Sequence, residues 1–340
     1  MEERAYVARI SYGKDSLKML DVIHTRGLPL DRITTTDVWA TDTVPAWLPP
    51  MQAFRDRMDQ WIWERYHIEV EHLCARNKEG TKKTYEQMFY HVPQRRSQSE
   101  QVERERERLR TGSILGFPDL WNPWCQAGLK RNASYRIQGT ITGFPPNTGY
   151  NYCQNLKIVR DTYQGIPVGN GSHLVSEAES KSYGFSGCPA RRAKRNIVEY
   201  LGIAADEPAR FGQLNEFKRA PLVEFDIDED LCGLHCRYNG ILAPSYETSC
   251  RDGCWFCHNQ GVDQLRNLWQ NYPDHWALLL KWDADSPVTF KADGHTVADY
   301  DLRFRMEKMG VVPMDRTFRW RMLEDPPQFV PFRGEQISFC

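Results

Sequence analysis

Two short stretches of this 340-residue chain combine residue types and spacings that chemistry could use. The first is Ser11-Tyr12-Gly13-Lys14-Asp15-Ser16. A glycine lets backbone N–H groups approach an anion, a helix opening at Asp15 and Ser16 turns its positive end toward it, and Lys14 and Ser16 add side-chain donors. The stretch therefore predicts a phosphate cradle, with Lys14 and Asp15 as catalytic candidates. An ordinary capped strand-turn-helix is the alternative, since Asp15 and Ser16 also suit a helix start. The spacing G-x-x-x-x-G-K-[ST] is absent, which excludes a Walker A loop. The second stretch is Cys250-Arg251-Asp252-Gly253-Cys254-Trp255-Phe256-Cys257-His258. Its C-x-x-x-C-x-x-C spacing about a glycine turn lets the sulfurs converge, so Cys250, Cys254 and Cys257 are candidate metal ligands. A [4Fe-4S] cluster could be held by three cysteines, whereas Zn²⁺ needs a fourth ligand from Cys236, Cys232 or His258. Metal-free packing and redox thiols stay open as alternatives.

Positioning such groups calls for a layered scaffold, and the first 75 or so residues alternate as in α/β proteins. Residues 7–10 read as a strand, 15–26 as a helix with Leu17, Leu20 and Ile23 inward, and 33–38 as a second strand. Pro49 and Pro50 open a second helix with Phe54, Met58, Trp61 and Arg65 on one face, followed by a strand over 68–73. Asp42 and Thr43 fall just past the second strand, at the carboxyl edge where open parallel sheets take ligands. Residues 94–110, dense in Arg and Glu, read as a solvated helix with i,i+4 ion pairs. The stretch 112–118 followed by 124–130 is echoed by 139–145 followed by 152–157, which suggests a duplicated hairpin insertion over about 131–187, with chance similarity of loop-rich sequence as the alternative. Residues 191–200 read as a helix, 228–238 as another, and the apolar run 262–282 as a helical cap. The expected division is a nucleotide-binding α/β domain over 1–220 and a cysteine-knuckle and helical region over 221–340.

A formal net charge of -1 gives no global pull toward nucleic acid. No run of about 18 apolar residues occurs, and the start Met1-Glu2-Glu3-Arg4 is not a signal sequence. These features predict a cytoplasmic protein with no membrane partner. Ten cysteines there serve as ligands, nucleophiles or small buried residues rather than as disulfides.

The stretch 11–16 resembles the PP-loop, S-G-G-K-D-S, of the adenine nucleotide alpha-hydrolase group, which includes ATP pyrophosphatases and phosphoadenosine phosphosulfate (PAPS) reductases. Tyr12 replaces the usual first glycine. In PAPS reductases an Asp-Thr-Gly stands where Asp42-Thr43-Val44 stands here, and a W-C-x-x-x-L-K stretch, resembled by 124–130, supplies a lysine to the nucleotide or sulfonyl group. Their G-I-x-x-D-E-x-x-R element resembles 202–210. The resemblance runs over roughly residues 5–275, with the insertion interrupting it. It implies an open, mostly parallel, Rossmann-like α/β sheet flanked by helices, with a C-terminal helical and cysteine-knuckle extension. It further implies Ser11, Tyr12, Gly13, Lys14, Asp15, Ser16, Asp42, Thr43, Gly202, Asp206, Glu207 and Arg210 as nucleotide ligands. Lys130 is implied as a catalytic anion ligand, with Lys157 and Lys194 as rivals.

Two sulfur chemistries are then expected. In one, ATP with Mg²⁺ is split between its α and β phosphates to adenylate a substrate, and sulfur from a cysteine or an iron–sulfur cluster displaces AMP. Lys14 would neutralise charge on the pyrophosphate leaving group. In the other, a thiolate attacks PAPS or its unphosphorylated analogue. Asp230-Leu231-Cys232-Gly233-Leu234-His235 resembles the E-C-G-L-H motif of assimilatory PAPS reductases, which makes Cys232 the alternative nucleophile. A sulfur donor or thiol reductant protein is the expected partner, and a nucleic acid is one candidate acceptor. A reading of another class is a non-catalytic nucleotide-binding or zinc-knuckle interaction protein. The knuckle's spacing also occurs in radical S-adenosylmethionine enzymes, but there it follows an early strand of a barrel.

Overall fold

A computed structural model describes residues 5–77, 80–92, 113–118, 123–131, 167–168, 172–173, 197–215, 218–248 and 253–324. Strand β1 (Ala5–Ile10) buries Val7, Ala8 and Ile10, successive and alternate positions alike, as expected of a strand covered on both faces. It lies at the centre of a five-stranded sheet with β2 (Arg32–Asp37), β3 (Val70–Cys74), β6 (Ile197–Leu201) and β7 (Lys218–Arg219). The order is β3-β2-β1-β6-β7 and every pairing is parallel. A separate antiparallel ribbon joins β4 (Pro167–Val168) to β5 (Ser172–His173). The main sheet with its flanking helices makes an open, all-parallel α/β fold of Rossmann-like type.

Helix α1 (Lys14–Thr25) buries Leu17, Met19, Leu20, Val22 and Ile23 in a cluster shared with Ile33 of β2 and with Phe54, Met58 and Ile62 of α2 (Pro49–Tyr66). Each such side chain contributes about 1.5–3 kcal/mol by leaving water. Short α3 (Tyr85–Phe89) starts with a reciprocal cap between Thr84 and Gln87. After β7 come α4 (Pro221–Glu224), α5 (Glu229–Tyr238) and α6 (Ser245–Thr248), and Cys232 and Cys236 of α5 complete the same core.

Residues 197–201 form a strand, not the end of a helix. The slot beside β1 buries Val198 and Tyr200, and β-branched and aromatic residues suit that pleated surface better than a helix. Residues 191–196, 94–110 and the insertion, apart from Arg131, β4 and β5, lie outside the described residues.

The chain forms two compact units, Met1–His91 with Trp121–Cys257, and Val92–Leu120 with His258–Cys340. The first extends past residue 220 because β7 pairs with β6 and α5 packs on α1. In the second, the apolar run divides at Pro273 into α7 (Val262–Asn271) and α8 (Pro273–Asp285), since proline has no N–H to continue a helix. Helix α9 (Val297–Lys308) joins them through its buried Glu307, which accepts from Arg266 of α7 as well as from its own Arg303, and through Asp301, which accepts from the indole N–H groups of Trp269 and Trp276. Helix α10 (Arg321–Glu324) ends the described chain. Among the described residues no helix is long and apolar enough to cross a membrane.

Candidate functional site

The strand order reverses beside β1, with β2 and β3 on one side and β6 and β7 on the other. Open parallel sheets leave a crevice above the carboxyl ends at such a point. A cavity of about 710 Å³ opens there. Into its lining the structure brings Ser11, Gly13, Lys14, Asp15, Ser16, Lys130, Gly202, Glu207 and Arg210, all expected from the sequence. Lys130 arrives on a π-helical turn, Gln126–Arg131. Arg9, Thr35, Thr36, Val38, Trp47, Glu229 and Tyr246 line it too and were not foreseen.

The loop between β1 and α1 is ordered by Ser16, whose hydroxyl donates to the Gly13 carbonyl at 2.9 Å and accepts from the Ser11 N–H at 3.3 Å. Gly13 occupies the N-cap and offers no capping side chain. The first-turn N–H groups of α1 therefore have no acceptor within the helix and are donors for an anion. Gly202, at the end of β6, must be a glycine. A Cβ there would stand 3.0 Å from both the Ser16 Cα and the Ser16 nitrogen.

Charge in the cavity is paired. Lys14 Nζ lies 2.8 Å from Asp15 Oδ1 and 2.8 Å from Glu229 Oε2. Burial alone would lower its pKa, but hydrogen bonds to those two carboxylates hold it above the usual lysine value. Burial raises the Asp15 pKa, Lys14 opposes the rise, and Glu229 and Glu207 add to it. Glu207 binds Arg210 Nη1 at 2.8 Å and accepts the Ala204 N–H at 3.2 Å. Asp206 does not line the cavity; its Oδ1 accepts the Glu229 N–H at 3.1 Å and so fixes the start of α5. Residues 228–238 read in sequence only as a helix, and Glu229 as a lysine partner depends on a contact 215 residues away.

Asp42 and Thr43 are not brought into the cavity. Thr41 Oγ1 accepts the Val44 N–H at 3.1 Å, turning both residues outward. The Asp42 carbonyl accepts from Lys82 at 3.1 Å and its Oδ1 from Gln87 at 3.4 Å. Tyr12 is likewise absent from the lining, with its side chain fully buried in the core. Cys232 and Cys236 are fully buried where α5 meets α1. Cys236 Sγ donates to the Lys14 carbonyl at 3.5 Å. Burial, then nearby Asp15, pushes the Cys236 thiol up to about 12 and the Cys232 thiol higher still. Cys232 is thus a protonated packing residue, which does not suit a nucleophile, and Cys236 is committed to α1 instead of to the knuckle.

The knuckle is anchored by Trp255, whose backbone N–H donates to the Ala46 carbonyl at 3.0 Å and whose indole N–H donates to the Pro45 carbonyl at 2.9 Å. Phe256 and Trp124 pack on Tyr85 with ring centroids 4.3 and 4.9 Å away. Burial drives the Tyr85 pKa far up, with further contributions from Cys125, Cys257 and Cys254. Those three thiols thus share one neighbourhood. Cys125 was missed as a knuckle neighbour because it sits inside a motif read only for its lysine, far along the chain from Cys254. Burial raises its pKa, Lys130 opposes and Cys257 adds to the rise. Cys250, Lys157 and Lys194 lie outside the described residues, and His258 belongs to the second compact unit. Among the described residues no group of three or more His, Cys, Asp or Glu could hold a metal ion.

Fold and site together define an α/β protein whose β1–α1 loop lines a cavity at the switch point of a parallel sheet. Comparison of the chain with models of known protein families, with curated proteins and with solved structures finds no match.

Proposed function

We propose that this cavity binds ATP with Mg²⁺ and that the protein is a cytoplasmic, PAPS reductase-like PP-loop enzyme of the adenine nucleotide alpha-hydrolase group. It splits the α–β phosphate bond to adenylate a substrate for sulfur transfer. The observation that carries this reading is the convergence of Lys14, Lys130, Arg210 and the α1 N-terminus on one cavity of nucleotide size. The carboxylates favour a metal-bound nucleotide. Mg²⁺ takes one or two carboxylates and completes its shell with water and phosphate oxygens, which suits Asp15 and Glu229. When bound, the ion neutralises phosphate charge. Lys14 would move from its two carboxylates to the developing pyrophosphate, while the α1 N–H groups hold the phosphate oxygens and Arg210 and Lys130 orient them. A [4Fe-4S] cluster or Zn²⁺ at the knuckle is part of the same reading. The described thiols do not complete such a site. Sulfur would come from a donor or thiol reductant protein, and the acceptor stays open, with a nucleic acid among the candidates.

The burial of Cys232 weighs against the reductase acting on PAPS. Calorimetric titration of anaerobically purified protein with Mg²⁺-ATP and with PAPS, together with a pyrophosphate-release assay, tests the proposal. The expected result is ATP binding with pyrophosphate release that Lys14→Ala lowers by a factor of about 10² to 10³. Binding of PAPS alone, or of neither, would overturn it, and ATP binding without release would leave a non-catalytic nucleotide module.

A further inference from the structure

Tyr12 adopts φ +61°, in the left-handed region that a tyrosine enters only at a cost. Its hydroxyl donates to Asp59 Oδ1 at 2.5 Å. Asp59 Oδ2 lies 2.9 Å from His72 Nε2, and His72 Nδ1 lies 3.1 Å from Asp37 Oδ2. Asp37 pairs with Arg55, a buried guanidinium centred 4.8 Å from the Tyr12 ring and 5.0 Å from the Trp47 ring. The cluster thereby ties the anion loop to α2, β2 and β3, and through Arg55 to Trp47, a wall of the cavity.

We propose that this cluster is a clamp holding the anion loop and Trp47 in the geometry that accepts the nucleotide, with Tyr12, Asp59 and His72 as positioning residues and protonated His72 as the keystone. The inference rests on the nucleotide reading of the cavity. Arg55 and protonated His72 balance Asp37 and Asp59, and both His72 nitrogens need a proton to serve two carboxylates at once. Neutral His72 keeps one N–H, so it must release Asp37 or Asp59. Release of Asp59 leaves the Tyr12 hydroxyl as its remaining partner in the cluster, and the loop loosens. The groups facing His72 are Asp37 from β2, Asp59 from α2 and Tyr12 from the loop; Arg55 of α2 reaches the cluster through Asp37, and Cys74 lies two residues along β3 beside Asp37. Hydrogen bonds to Asp37 and Asp59 raise the His72 pKa to about 9 against the opposing effect of burial. Burial, then Asp59, pushes the Tyr12 phenol far up, so it remains a donor across this range.

The test is calorimetric affinity for Mg²⁺-ATP at pH 7.5 and 9.5 in the wild type, Tyr12→Phe and His72→Gln, with thermal melts as a check on folding. Wild-type affinity is expected to fall about tenfold between the two pH values, the effect of losing one hydrogen bond to a charged group. Tyr12→Phe should bind about tenfold more weakly at pH 7.5. His72→Gln should bind weakly and with a flat pH profile. Histidine-selective NMR of the wild type supplies a readout that a merely structural role would not move: added nucleotide should shift the His72 titration upward, since binding favours the protonated clamp. A wild type that binds ATP equally at both pH values, with Tyr12→Phe unchanged, overturns the clamp alone. A wild type that binds no nucleotide at either pH overturns the site reading and the clamp with it. If Tyr12→Phe fails to fold, the wild-type profile, His72→Gln and the NMR titration still decide the matter.

Discussion

The β1–α1 loop and the thiol knuckle solve the problem of buried polar groups in opposite ways. Around the loop, charge meets charge: Lys14 lies between Asp15 and Glu229, Arg210 binds Glu207, and Arg55 and His72 hold Asp37. Around the knuckle, Cys125, Cys254 and Cys257 lie among Tyr85, Trp124 and Phe256, and burial keeps the Tyr85 and Cys125 protons on. The first arrangement can exchange a protein carboxylate for a phosphate with little rearrangement. The second must lose protons before it can bind a metal or attack anything, so its chemistry is coupled to metal loading or to a base.

The largest effect should come from Lys14→Ala, which removes the cation between two carboxylates. Pyrophosphate release is expected to fall by a factor of about 10² to 10³, read in a single-turnover assay. An unchanged rate would place the catalytic charge elsewhere. Next is Gly202→Val, which forces a side chain against the Ser16 backbone. A loss of about 1–3 kcal/mol in denaturant unfolding is expected, with weaker nucleotide binding. The contrast between the two regions sharpens if Cys254→Ser lowers iron or zinc content on anaerobic purification while Mg²⁺-ATP affinity stays within about twofold, the scatter expected of independent sites. Equal damage to both would mean that the regions are one site.

A pH series with and without His72 examines the loop side. The His72 pKa is raised above the unfolded value, so its stabilising contribution is complete below about pH 6.5 and is lost as the pH rises through about 9. Thermal midpoints should decline over that window more steeply in the wild type than in His72→Gln, whose remaining slope near pH 9 comes from buried thiols that ionise on unfolding. The smallest effect is expected from Cys232→Ala, which trims a buried thiol from the α1–α5 contact. A cost of about 1 kcal/mol with turnover retained would fit packing, whereas loss of turnover in a stably folded variant would restore Cys232 as nucleophile.

What could be read in the sequence was local. β1, α1, β2, α2 and α5 announce themselves by periodicity, proline placement and caps, and the loop 11–16 announces its donors. The β6 strand did not, because residues 197–201 follow a basic run and only the slot beside β1 decides their state. Asp42 and Thr43 sit at the expected edge, yet contacts from Lys82 and Gln87 draw them away. The Glu229 partnership with Lys14, the gathering of Cys125 with Cys254 and Cys257, and the bond from Tyr12 to Asp59, 47 residues on, all depend on tertiary approach. Residue type fixes what such groups can do, and spacing alone does not say whom they meet.

The buried tyrosine of the loop also constrains descent. A lineage that exchanged Tyr12 for glycine would relieve its backbone, yet in the same step it would open a void the size of a phenol ring and take from Asp59 one of its hydrogen-bond donors. The exchange is tolerable only after Asp59 and its neighbours have changed, so the residues of this loop and of α2 should substitute together and in a preferred order.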